Sequence, residues 1–187
     1  MSTNTPDTGH EAGRETGDPV TTPLNIAVLT VSDSRSAAED RSGDALVERL
    51  EKAGHRLAER DIRPDDIYAL RAVISRWIAD PQIDAILTTG GTGITGRDGT
   101  PEAVSVLLDK TIEGFGELFR MLSWEEIGTS SLQSRALSGV ANGTYIFVLP
   151  GSTGACRTAW DRIIRAQLDD RTMPCNLTML MPRLKES

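Results

Sequence analysis

The chain has little of what most catalytic and metal sites are built from. Its two cysteines, Cys156 and Cys175, lie far apart and match no zinc or redox spacing. They read as small buried or half-buried thiols of a reducing cytoplasm. Of its two histidines, His10 lies in a polar N-terminal stretch, and His55 follows a helix-ending Gly54 at the start of a strand. A Ser-His-Asp or Cys-His pair is therefore hard to assemble. No apolar run approaches the roughly 18 residues of a membrane helix, and Met1–Thr22 lacks the apolar centre of a signal peptide. A basic excess is missing too. The net charge is −7 over 187 residues, and Arg14 against Asp7, Glu11, Glu15 and Asp18 accounts for only part of it. No footprint for a nucleic acid remains. Chemistry falls to carboxylates, hydroxyls, backbone amides and arginine, and an anionic ligand must be held locally.

What is present reads as one α/β domain behind a short extension. Met1–Pro23 is rich in Thr, Gly and Asp without periodicity, and is expected to be disordered. Residues 24–187 form the domain. Leu24–Val31 is a buried strand that ends in the polar loop Ser32-Asp33-Ser34-Arg35. Ser42 is the expected cap of a helix over Gly43–Ala53. His55–Arg63 reads as a more exposed strand, and Asp65 or Asp66 opens a helix carrying Ile67, Leu70, Ile74, Trp77 and Ile78 on one face. A short strand over Ile83–Leu87 follows, then a glycine loop, then a helix over Glu102–Asp109 with Pro101 in its first turn. Glu113–Arg135 reads as mostly helical, with breaks near Gly114, Gly116 and Gly128. Its Phe115–Trp124 cluster belongs to the core or to a subunit interface. Asn142-Gly143 turns a hairpin into the apolar strand Tyr145–Leu149. Ser152 caps a helix that buries Ala159, Trp160, Ile163, Ile164 and Leu168, and Arg171–Ser187 is expected to be extended. Alternation of strand and helix is the mark of a mostly parallel sheet covered on both faces, with ligands beyond the carboxyl ends of its strands.

The stretch most charged with chemistry is Thr88-Thr89-Gly90-Gly91-Thr92-Gly93, with Asp98 just beyond it. Glycines after a strand let backbone N–H groups point outward as an anion seat, and hydroxyls add to it. An acid beside a phosphate makes sense when a divalent cation stands between them. No lysine follows in P-loop spacing, and Gly91-x-Gly93-x-x-Gly96 meets the dinucleotide fingerprint only in its letters. Structural readings stand beside the functional ones. Asp98 and Asp65 also suit helix caps, Ser152 suits a cap alone, and Asp33 with Arg35 suits an exposed turn.

As a set, Ser32–Arg35, Pro64-Asp65-Asp66, Thr88–Gly93, Arg97-Asp98-Gly99-Thr100-Pro101-Glu102, Gly114–Glu117 and Leu149-Pro150-Gly151-Ser152 resemble the MoaB/MogA family of molybdenum-cofactor biosynthesis proteins. Ser123–Ser130, Gln133-Ser134-Arg135-Ala136 and Ala155–Trp160 look more like MoaB than MogA. The resemblance implies a three-layer α/β/α sandwich with a mostly parallel central sheet, assembled as a homotrimer or homohexamer. It implies binding of molybdopterin, and AMP transfer from ATP with Mg²⁺ to the molybdopterin phosphate. Asp65 and Asp98 fall on the family's catalytic acids, and both are the expected magnesium ligands. Ser32, Asp33, Thr88, Thr89, Gly90, Gly91, Thr92, Gly93, Gly151 and Ser152 fall on its substrate pocket. A molybdopterin carrier that does not use ATP, or an oligomeric scaffold, remain as other readings of the same residues.

Overall fold

The computed structural model describes residues 19–33 and 39–186. Its strands are β1 (Asn25–Val31), β2 (Arg56–Arg63), β3 (Ala85–Thr89), β4 (Lys110–Thr111), β5 (Leu137–Ala141) and β6 (Thr144–Leu149). Its main helices are α1 (Arg41–Lys52), α2 (Ile67–Ala79), α3 (Thr100–Ser105), α4 (Glu113–Ile127) and α5 (Thr153–Ala159), the last continued by a π turn at Trp160–Ile164. The strands form one sheet in the order β2-β1-β3-β6-β5-β4. β2, β1, β3 and β6 run parallel, while β5 and β4 close the far side antiparallel.

The period of two along the central strands creates the layers. Ile26, Val28, Ala85, Leu87 and Phe147 point to one face, where α1, α4 and α5 supply Leu46, Phe119 and Ala159. Ala27, Leu29, Ile86, Ile146 and Val148 point to the other, against Leu70, Ile74 and Trp77 of α2 and Val104 of α3. The sandwich is therefore α/β/α with the sheet in the middle. β2 is an edge strand, and its outward charged residues blunt that edge.

Several local expectations shift by a residue or two, each for a visible reason. α1 is capped by Asp40 rather than Ser42. The Asp40 carboxylate accepts the Gly43 N–H at 2.9 Å, the Thr30 hydroxyl at 2.7 Å and Arg60 Nη2 at 2.8 Å. Burial alone raises its pKa, but the Arg60, Thr30 and Gly43 bonds outweigh it and hold the carboxyl below its usual range. α3 stops at Ser105 because Lys110–Thr111 pairs with β5. α4 runs through Gly114 and Gly116 and ends at Gly128, where φ is +57°. Its Phe115 and Phe119 are core residues, whereas Trp124 is exposed. The final segment is not extended: Asn176 caps a one-turn helix over Leu177–Leu180, and a 3₁₀ turn over Met181–Arg183 follows. Cys156 is buried, but Cys175 is exposed.

The expected extension divides. Met1–Asp18 lies outside the described residues, but from Pro19 the chain is docked. Val20 is buried and donates its N–H to Ala53 O at 3.0 Å. The Thr21 and Thr22 hydroxyls bond Asp170. The Leu24 N–H donates to His55 Nδ1 at 3.2 Å, and the His55 ring stands edge-on to Trp160.

His55 carries a pH-dependent share of this stability. Burial lowers its pKa from 6.5 to about 4, against the pull of Asp169 and Asp170. The folded protein keeps a neutral imidazole that the unfolded chain protonates between those values. The stabilisation is fully present above pH 6.5 and is lost as the pH falls from 6.5 to about 4, about 3 kcal/mol in all. Urea denaturation of wild type and His55→Gln at pH 7 and pH 4.5 should show the smaller acid loss in the variant.

Candidate functional site

Three parallel strands end side by side: Thr30 of β1 pairs with Thr89 of β3, and Thr89 with Leu149 of β6. The chain beyond each end is packed backbone against backbone. The Gly90 N–H donates to Leu149 O at 3.0 Å. A Cβ on Gly90 would strike Val31 O, and one on Gly151 would stand 3.2 Å from Gly90 Cα. Gly90 also has φ +104°, so only glycine fits. Gly91, at φ +63°, is fixed by the bond from Thr100 N to its carbonyl at 3.0 Å.

The glycine loop then passes between two carboxylates. A Cβ on Gly91 would meet the Thr100 hydroxyl and stand 2.5 Å from Asp65 Oδ2; one on Gly93 would stand 2.5 Å from Asp98 Oδ2. Asp65 is not the cap of α2. Asp66 takes that role, accepting the Tyr68 and Ala69 N–H groups at 2.9 and 2.8 Å. Asp65 is thereby left to reach across and accept the Gly99 N–H at 3.0 Å. Asp98 is not a cap either: Gly99 precedes α3 without a side-chain bond, and Asp98 turns back to the Thr95 N–H at 2.9 Å. Asp33, at the end of β1, joins them through the Asp65 N–H at 3.2 Å and Arg97 Nη2 at 3.0 Å.

The two acids are tuned in opposite directions. Burial, and then the charges of Asp98 and Asp33, push the Asp65 carboxyl above its usual range, with the Gly99 N–H and Arg97 pulling against them. The Thr95 hydroxyl and N–H, with smaller help from Gly93 and Arg135, hold the Asp98 carboxyl below it. A cation between them would relieve the repulsion on Asp65. Among the described residues no trio of His, Cys, Asp or Glu forms a metal cage. An acid pair beside the glycine loop nonetheless fits Mg²⁺, which binds by one or two carboxylates and completes its shell with waters and substrate phosphates. The buried Thr100 hydroxyl, unpartnered within the protein and placed beside Gly91 and Asp65, is a further polar atom turned to this place. Next to the acids opens a cleft of about 490 Å³, walled by Asp65, Tyr68, Arg97, Asp98, Gly99 and Glu102.

The remaining candidates divide. Thr88 and Thr89 belong to β3 rather than to the loop, and both are fully buried, because the strand runs two residues further than its apolar pattern predicts. The Thr89 hydroxyl bonds Pro150 O at 3.0 Å and is 3.1 Å from Cys156 Sγ, so it braces the floor of the site. Thr92 is buried within the loop. Ser32 sits at the rim beside Asp33, its N–H donating to Arg63 O at 2.9 Å. Ser34 and Arg35 lie outside the described residues. Ser152 caps α5 through the Ala155 N–H at 3.2 Å. Arg135 enters from the chain after α4. It donates to Asp98 O at 2.7 Å and Thr92 O at 3.3 Å and pairs with Glu102, tying glycine loop, acid and α3 together. Nothing in its local sequence marks that role, since its partners lie 33 to 43 positions upstream.

A mostly parallel three-layer sheet with an acid-flanked glycine loop at its carboxyl rim defines an α/β ligand-binding protein of the open-sheet class. Residues 27–170 match the family described as a probable molybdopterin binding domain. Molybdenum cofactor biosynthesis protein B of Escherichia coli K12 is 54% identical over 164 residues, which cover 88% of this chain and 95% of the relative. Its Bacillus subtilis counterpart is 44% identical over 146 residues, covering 78% and 86%. A crystal structure of molybdenum cofactor biosynthesis protein B superposes with a TM-score of 0.77 at 43% identity, over 79% of this chain and 92% of that one. A MogA structure superposes with a TM-score of 0.69 at 29% identity, over 85% and 98%. The chain belongs to the MoaB/MogA family of molybdenum cofactor biosynthesis proteins and lies nearer to MoaB.

Gly91 combines a left-handed backbone with a close approach to Asp65. Gly91→Ala should cost roughly 1–3 kcal/mol from its left-handed backbone alone, and more because its methyl group displaces Asp65. Chemical denaturation measures the loss; an unchanged midpoint would show that the loop relaxes freely.

Proposed function

We propose that the protein binds molybdopterin and transfers AMP from Mg-ATP to its terminal phosphate, releasing pyrophosphate. The observation that carries this reading is the glycine strip held between Asp65 and Asp98 at the rim. In the transfer, a terminal phosphate oxygen forms a bond to the α-phosphorus while the bond from that phosphorus to the bridging oxygen breaks, and pyrophosphate leaves with the electron pair. Several phosphate charges must gather for this, and positioning with charge stabilisation supplies most of the rate. Asp98, assisted by Asp65, would hold Mg²⁺, whose charge offsets that of the phosphates. Asp98 suits the role because its lowered pKa keeps it ionised. The glycine-loop amides seat the phosphate oxygens, and Arg135 keeps loop and acid in register. Ser32, Asp33, Gly151 and Ser152, on the neighbouring strand ends, line the pterin side.

Assembly into a homotrimer or homohexamer belongs to the same reading, and exposed Leu118, Met121, Trp124 and Ile127 along α4 offer apolar surface for it. A second reading draws on the way both acids already bond within their own loops. In that reading they are structural, and the protein carries molybdopterin without using ATP.

A turnover assay with molybdopterin, ATP and Mg²⁺, following pyrophosphate release, separates the two. Wild type should turn over, and Asp98→Asn should lose roughly 100-fold or more while still binding molybdopterin. A silent wild type that binds molybdopterin supports the carrier.

A further inference from the structure

Tyr68 is unusual for a large aromatic side chain. It is 77% exposed, yet it lines the polar cleft beside the acid pair rather than a stretch of open surface. Its backbone is fixed in the first turn of α2 by the Asp66 cap. Its ring is fixed as well: the Arg71 guanidinium lies 5.6 Å from the ring centroid. Arg71 is itself anchored, donating from Nη2 to Glu102 O at 3.1 Å across the cleft wall. A ring held by a cation on one side, with most of its area open to a cleft, is a stacking platform for a second flat ring.

We propose that Tyr68 is the platform on which the nucleobase of ATP stacks; the proposal rests on the adenylyl-transfer reading and assigns the base end of that substrate. The lining of the cleft supports it. Asp65, Asp98 and Tyr68 share its walls, and Gly151 packs against Gly90. The cleft opens instead toward α2 and α3, and its walls include Tyr68 and Glu102 but neither Gly151 nor Ser152. A triphosphate whose phosphates lie at Asp65 and Asp98 therefore directs its base toward Tyr68, while the pterin takes the other side. The cleft volume of about 490 Å³ is within the range of small-ligand sites. Stacking reads the π face alone, so it secures the base without demanding a specific hydrogen-bond pattern.

The test is calorimetric titration of the full-length protein with Mg-ATP and, separately, with Mg-tripolyphosphate, which has the phosphates without a base. Tyr68→Ala should weaken Mg-ATP binding roughly tenfold or more and leave tripolyphosphate unchanged. Tyr68→Phe should restore ATP binding to near the wild-type level. Because Tyr68 is exposed, these variants keep the core intact, and a thermal melt verifies it. Tyr68→Ala binding ATP like wild type overturns the platform alone, as does an equal loss of ATP and tripolyphosphate, or a loss confined to molybdopterin. Wild type binding neither ATP nor tripolyphosphate overturns the adenylyl-transfer reading, and the platform with it.

Discussion

The structure depends on one close approach of backbone to backbone, where the ends of β1, β3 and β6 meet at Gly90. Three parallel strands buried on both faces deliver their chain ends to one rim, and no side chain fits between them there. The glycines allow the backbones to touch. They also let the polypeptide turn sharply beyond β3, with positive φ at Gly90 and Gly91. The same crowding that holds the sheet together thus sets the glycine loop beside Asp65 and Asp98.

Around this point, carboxylates of three kinds show how burial and partners decide what an acid does. Asp40 is fully buried and answered by Arg60, Thr30 and the Gly43 amide, so it welds α1 to the sheet. Asp66 is exposed and spends its oxygens on the first turn of α2. Asp65 and Asp98 are the pair left facing each other across the loop, with their pKa values driven apart.

Much of this was legible beforehand where a pattern repeats. The near-continuous apolar run of LNIAVLTV and the helical spacing of Leu70, Ile74 and Trp77 place themselves, because burial on both sides of a sheet leaves few other arrangements. Boundaries and caps were less legible. Thr88 and Thr89 look like loop residues because they are polar, yet both lie in β3: the Thr89 hydroxyl bonds Pro150 O and meets Cys156 Sγ, whereas the buried Thr88 hydroxyl has no partner within the protein. Ser42 is the cap that the local sequence suggests, but Thr30 on β1 and Arg60 on β2 hold Asp40 where it takes the Gly43 N–H instead. Asp65 and Asp66 are equivalent by sequence, and the difference between helix cap and site acid comes from where Gly99 lies.

The alternation of the main strands and helices, the parallel sheet, the glycine loop and its acids were determined by the sequence by itself, since each rests on local periodicity or local backbone geometry; β4 and the helical turns after Asn176 were not. Which residues meet was decided only by the tertiary structure. Arg135 reaches Thr92 and Asp98, Asp33 joins Asp65 and Arg97, and Tyr68 stands braced by Arg71 at the mouth of the cleft. The physical reason is range. A turn or a helix stripe is written in neighbouring residues, whereas a site is written in contacts between strand ends that the chain brings together only after the sheet has formed.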